Sequence, residues 1–299
     1  MKKVFVTQKI LDDGIIILRK KGFEVEVSAS NRPLHPEELL EKANKVDALI
    51  CMMADKINKN FLEKNSHLKI ITNYAVGTNN IDLDSAAKLG IKIGNTPDVL
   101  TEATAEVAFG LMIGAARNFR SAMQSAERGE WKNFEPIGYL GHALHGKKLG
   151  IVGYGRIGRR LGEMASGAFK MEVKAYKRGD DMMTFLQDLD VLSLHAPLTP
   201  ETKHIIGVNE IKAMKKTAII INTARGDIID QEALYEALYK KSIFSAGLDV
   251  TTSEPLSPSH PLYALPNVMI LPHIGSATYE ARRAMSILSA ENIINAFSE

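Results

Sequence analysis

The sequence predicts an α/β protein built from two doubly wound parallel-sheet domains, and two observations carry that reading. The first hundred residues alternate short β-branched runs with helical patterns, as a parallel sheet covered on both faces requires. A second alternation begins near Lys148, and at its first strand-to-helix turn Gly153, Gly155 and Gly158 stand with G-x-G-x-x-G spacing. At 299 residues and 45% hydrophobic content the chain can fill two cores.

Taken in order, strands are expected at 4–7, 23–29, 48–53, 69–74 and 91–95, with helices at 12–21, 36–45 and 58–65 between them. A single long helical pattern then runs from about 101 to 128, and its Ala-, Leu- and Met-rich middle suggests burial on most sides. Residues 131–145 read as an irregular aromatic arm with Trp131, Phe134 and Tyr139. The second sheet draws strands from 149–152, 171–176, 191–195, 218–223, 245–250 and 268–271. Its helices are expected to end near 169 and to span 183–188, 209–215 and 232–241. The last helix, 280–297, is expected to return to the first domain.

Composition removes several classes. A net charge of +2 gives no case for nucleic acid, and eight scattered histidines give no metal signature. No apolar run approaches the roughly 18 residues of a membrane span. The one cysteine, Cys51, lies in an apolar run, which reads as a buried thiol and excludes a disulfide framework. The N-terminus reads as a strand and not as a signal peptide, so a cytoplasmic location is expected.

The glycine turn carries the first chemical expectation. Gly153 permits the tight turn, Gly155 lets backbone approach a pyrophosphate, and Gly158 lets helix and strand pack closely. Arg156 and Ile157 complete the turn, and the helix N-terminus offers its N–H groups to the diphosphate. A carboxylate is expected about 20 residues on, to hold a ribose 2′-hydroxyl. Lys177 stands there instead, followed by Arg178. A cation cannot accept a hydroxyl hydrogen bond but pairs with a 2′-phosphate, which favours NADP(H) over NAD(H). The competing reading turns Asp180 or Asp181 back to serve NAD.

Three further motifs follow predicted strand ends. They are Asn222-Thr223-Ala224-Arg225-Gly226, Asp249-Val250 with Glu254-Pro255 beyond it, and the stretch 272–278 with His273. Alone, each has an ordinary structural reading: a surface cation, a solvated loop acid, a satisfied loop histidine. Together they bring an anion-binding guanidinium, a carboxylate and a titratable imidazole to one sheet edge.

With these motifs on the page, the chain resembles the D-isomer-specific 2-hydroxyacid dehydrogenases over nearly its full length. Within them it looks most like the glyoxylate/hydroxypyruvate reductases. The stretches 73–77, 95–101, 129–132, 153–158, 195–199, 223–226, 247–250 and 272–278 carry the likeness. The resemblance implies a Rossmann cofactor domain, 99–271, inserted into a flavodoxin-like substrate domain made of 1–98 and 272–299. It implies a homodimer joined through the long helix and arm, a small 2-oxo or 2-hydroxy acid substrate, and Arg225, Glu254 and His273 as the catalytic trio. In that scheme His273 is the general acid/base, Glu254 favours its imidazolium form, and Arg225 grips the substrate carboxylate. Val76 and Gly77 offer backbone N–H groups as a second hold, and Met53 shapes the pocket. Cofactor contacts carried over by motif are Thr104, the glycine turn, Lys177, Arg178, His195, Ala196, Pro197, Thr202, Thr223, Ala224, Asp249, His273 and Gly275. No metal is implied. The segment between Arg178 and Val191 looks about ten residues shorter than the family pattern. Two alternatives stay open: a D-3-phosphoglycerate or D-lactate-type dehydrogenase, and a dinucleotide-sensing protein like the corepressors of this family.

Overall fold

A computed structural model describes residues 1–30 and 32–298. The chain forms two compact units, Met1–Leu100 with Ser276–Glu299, and Thr101–Gly275. The sequence reading drew the second crossing at 271/272. Residues 272–275 fall in the second unit because Asp249 holds them there, accepting the His273 N–H on its carbonyl and the Ile274 and Gly275 N–H groups on its carboxylate.

In the first unit the order is β1 (Lys3–Val6), α1 (Asp12–Lys20), β2 (Glu24–Val27), α2 (Pro36–Ala43), β3 (Ala48–Cys51), α3 (Lys59–Lys64), β4 (Ile70–Asn73), α4 (Leu83–Lys88) and β5 (Lys92–Gly94). The five strands are parallel and ordered β2-β1-β3-β4-β5. The two inner strands Ala48–Cys51 and Ile70–Asn73 are buried on both faces. The C-terminal helix, Tyr279–Ser298, belongs to this unit and lies along α1. There Gly14 admits it so closely that a Cβ would stand 2.0 Å from the Ser286 carbonyl oxygen. The helix α4 was not expected; at six residues, capped by the Asp82 carboxylate on the Ser85 N–H, it is too short to show a period.

The second unit begins with α5 (Thr101–Ala116) and α6 (Phe119–Glu127). The expected single helix 101–128 is therefore two. The break falls at Asn118, in the left-handed region at φ 54° that Asn tolerates better than most residues. Just before it, the Ala116 carbonyl is taken by the His142 N–H instead of a further helical turn. There follow β6 (Lys148–Val152), α7 (Arg156–Phe169), β7 (Glu172–Tyr176), α8 (Met182–Leu186), β8 (Val191–Leu194), α9 (Val208–Ala213), β9 (Ile219–Asn222), α10 (Gln231–Tyr239), β10 (Ser245–Leu248) and β11 (Val268–Ile270). All six strands are parallel, in the order β11-β10-β9-β8-β6-β7. The order reverses at β6/β8, which is where a doubly wound sheet opens a crevice at its carboxyl edge. Helix α5, buried along most of its length, packs against β9, β10 and α7.

Candidate active site

Each strand of the second sheet delivers a candidate residue at its carboxyl end, so the site is built by topology before any side chain is considered. After β6, Gly153 sits at φ +90°, and a Cβ there would lie 2.3 Å from the Ala196 nitrogen. Only glycine lets this turn touch the loop after β8. Gly158 packs on the strand it follows, its virtual Cβ 2.6 Å from the Gly153 carbonyl oxygen. Gly155 is different: it caps α7 and faces open space. A hollow of about 560 Å³ lies beside it, lined by Gly155, Arg156, Arg159, Thr101 and by Arg160, which is paired with Glu102 and Glu163. The N-terminus of a 14-residue helix, arginines and an open backbone position together fit a diphosphate.

After β7, Lys177 and Arg178 are exposed. The two aspartates of the competing reading both have local tasks. Asp180 accepts the Lys177 backbone N–H at 2.9 Å, and Asp181 caps α8 through the Thr184 N–H. Arg178 has the carboxylate of Glu201 as a charged neighbour.

After β8, the His195 ring lies between two hydroxyls, Ser193 at Nε2 (2.8 Å) and Thr223 at Nδ1 (3.3 Å). Burial with no charged partner pushes its pKa down to about 4. Ala196 is buried and Pro197 exposed beside it. The Thr202 hydroxyl is spent on the loop itself, donating to the Pro197 carbonyl and accepting the Thr199 N–H.

After β9, Asn222 splints the turn, its Oδ1 accepting the Ala224 N–H and its Nδ2 donating to the Arg225 carbonyl. Sequence reasoning named Asn222 only as the first residue of the Asn-Thr-Ala-Arg-Gly motif and gave it no role of its own. Gly226 then passes Thr251 so closely that a Cβ would lie 2.0 Å from the Thr251 carbonyl carbon. That approach brings the Arg225 turn alongside the Glu254 loop. Burial pushes the Arg225 pKa down, and the charge of Glu254 opposes the fall.

After β10, Asp249 is 1% exposed and works as a clamp, its Oδ1 and Oδ2 accepting the Ile274 and Gly275 N–H groups at 2.7 and 2.8 Å. Burial raises its pKa against those bonds. The sequence reading counts Asp249 among the cofactor contacts; in the structure both of its carboxylate oxygens bond this turn. Thr104 of α5 fastens the same turn by donating to the Gly275 carbonyl. On the clamped turn His273 holds φ 54°, and its Nδ1 meets Glu254 Oε2 at 2.5 Å. The other Glu254 oxygen accepts the Thr251 N–H at 3.3 Å. A cavity of about 220 Å³ adjoins the pair, lined also by Asp249, Thr251, Leu256 and Tyr263. The structure thus joins Glu254 to His273 directly and Arg225 to Glu254 through charge.

Met53, Val76 and Gly77 belong to the first unit, at the carboxyl ends of β3 and β4, where Met53 and Val76 are 37% and 39% exposed. Among the described residues, no helix is long and apolar enough to cross a membrane.

The family model for the D-isomer specific 2-hydroxyacid dehydrogenase NAD binding domain matches residues 109–275. The chain is 45% identical to a glyoxylate reductase of Thermococcus litoralis, over 98% of this chain and 92% of that protein. Among solved structures, a protein from Thermus thermophilus superposes with a TM-score of 0.94 at 40% identity, covering 99% of this chain and 97% of that one. An NADPH-dependent glyoxylate/hydroxypyruvate reductase from Sinorhizobium meliloti, in complex with NADP and malonate, superposes with a TM-score of 0.85 at 28% identity, covering 99% and 94%.

Proposed function

The chain belongs to the D-isomer-specific 2-hydroxyacid dehydrogenases, NAD(P)-dependent oxidoreductases, and from that premise we propose that it reduces glyoxylate or hydroxypyruvate with NADPH. The observation that carries the proposal is the His273–Glu254 pair, an imidazole bound through one nitrogen to a carboxylate. The dinucleotide, when bound, supplies a hydride to the 2-oxo carbon. His273 Nδ1 donates to Glu254, so the ring is fixed in orientation and Nε2 carries the proton given to the forming alkoxide. Arg225 pairs its planar guanidinium with the substrate carboxylate, a geometry lysine does not match. On the first unit we assign to substrate binding the N–H groups of Val76 and Gly77, for a carboxylate, and Met53.

On the cofactor side, Gly155, Arg156 and the α7 N-terminus hold the diphosphate, and Lys177 with Arg178 takes the 2′-phosphate. The engagement of Asp180 and Asp181 in local turns through Oδ2 supports this choice. Neutral His195, with Thr223, forms a wall for the dinucleotide and takes no part in proton transfer.

The test is a kcat/KM matrix of glyoxylate, hydroxypyruvate and pyruvate against NADPH and NADH. NADPH is expected to win, and a preference for NADH of about tenfold or more, roughly 1.4 kcal/mol, would overturn the role of Lys177. His273→Ala is expected to lower kcat by about 10²–10⁴ while NADPH still binds. Near-full turnover in that variant removes His273 from the chemistry.

A further inference from the structure

The loop 74–77 carries two peptide groups that are tied down on one side only by their oxygens. The Ala75 carbonyl accepts the Thr96 backbone N–H at 2.9 Å, and the Val76 carbonyl accepts Asn95 Nδ2 at 2.8 Å. In a trans peptide the N–H points opposite to the C=O of the same plane. Pinning the Ala75 oxygen therefore aims the Val76 N–H away from the residue 95–96 segment, and pinning the Val76 oxygen aims the Gly77 N–H the same way. Both donors are then turned from that segment, as a two-donor anion nest needs. The next peptide is held separately, with Asn73 Nδ2 donating to the Gly77 carbonyl at 2.6 Å, and Asn80 bracing Asn73 at 3.0 Å. Asn95 is itself fixed, since its own carbonyl accepts Asn292 Nδ2 from the C-terminal helix.

We infer that Asn95 is the positioning residue of the substrate-carboxylate nest, holding the Gly77 N–H in its donating orientation by bonding the oxygen of the same peptide. The inference rests on the assignment of the Val76 and Gly77 amides to the substrate carboxylate. Of the two pins, only Asn95 is a side chain, so only that one can be removed without disturbing the backbone path. In Asn95→Ala the 76–77 peptide loses its anchor and turns freely. In Asn95→Asp a carboxylate oxygen faces the Val76 carbonyl, which drives the peptide to the opposite orientation.

The experiment measures KM and kcat for glyoxylate, competitive inhibition by oxalate, KM for NADPH and Tm in the wild type, Asn95→Ala and Asn95→Asp. Loss of one oriented donor is expected to raise glyoxylate KM and oxalate Ki together by roughly tenfold in Asn95→Ala, and further in Asn95→Asp. NADPH KM is expected to stay within about twofold, a split that a merely structural role would not give. If Asn95→Ala does not fold, Asn95→Ser replaces it and carries the same expectation. Wild-type glyoxylate KM and oxalate Ki in a folded variant overturn the role of Asn95. A wild-type enzyme that reduces acetaldehyde as efficiently as glyoxylate overturns instead the carboxylate assignment beneath it.

Discussion

Two histidines stand at the carboxyl edge of the second sheet, and what surrounds each decides what it can do. His273 has a carboxylate on Nδ1, whereas His195 has only the hydroxyls of Ser193 and Thr223. A hydroxyl neither attracts nor repels a proton strongly, so burial dominates at His195 and holds it neutral, at about 4. The sign of the consequence follows. Above a pH of about 6.5 His195 is neutral in both folded and unfolded chains, and it contributes no pH dependence. As pH falls from there toward 4, the unfolded chain takes a proton that the folded one refuses. Stability then drops by at most ~1.4 kcal/mol per pH unit from this group. His195→Gln removes the term, so between pH 6.5 and 5 the wild type should lose up to about 2 kcal/mol relative to the variant. Urea midpoints at several pH values read this directly, and parallel curves for the two proteins would refute a neutral His195.

At the scale of an element, the β6-turn-α7 unit separates two roles that one motif conceals. Gly158 is required by packing, with backbone oxygen 2.6 Å from its virtual Cβ, while Gly155 has nothing within 4 Å. Gly158→Ala should therefore cost about 1–3 kcal/mol of stability through overpacking. Gly155→Ala should cost less than about 1 kcal/mol, as a weaker helix cap, yet weaken NADPH binding because the methyl group fills the space left for the diphosphate. Denaturant midpoints and NADPH titrations of the two variants should rank in opposite order; an unchanged NADPH affinity in Gly155→Ala would refute that use of the open position. This spacing was legible in the sequence because strand, turn and helix are contiguous and each glycine has a local cause. The strand ends that deliver Arg225, Glu254 and His273 were legible for the same reason. The break at Asn118 was not, because it depends on His142 capturing the Ala116 carbonyl from 26 residues further along the chain. Nor was the clamp at Asp249, whose partners lie beyond a 3₁₀ turn and another strand. Local patterns specify elements; bonds between distant segments decide where those elements stop and which way a side chain is spent.

At the scale of the molecule, the second unit leaves apolar surface that its own sheet does not cover. Along the irregular arm Trp131 is 70% exposed and Phe134 and Ile137 are each 86% exposed, and on the preceding α6 Met123 is 59% exposed. Single exposed hydrophobes are ordinary, but a run of large ones within one segment marks an interaction surface. Within the unit the arm is held by few contacts of its own, among them the Tyr139 hydroxyl to Ser125 at 2.5 Å and Asn118 Nδ2 to the Leu140 carbonyl at 2.8 Å. These fix the path of the arm near Tyr139 and leave Trp131, Phe134 and Ile137 presented to solvent. The sequence reading expects a second copy of this chain at the long helix and arm, and that expectation can be tested. Light scattering on the wild type is then expected to return twice the chain mass, and Trp131→Ser/Phe134→Ser/Ile137→Ser to return the single chain. Because association stabilises only the folded form, Tm should rise with protein concentration in the wild type and not in the triple variant. The glycine turn lies outside the arm, so NADPH should still bind the variant. A wild type that remains a single chain at high concentration would leave the arm without its partner and refute the dimer.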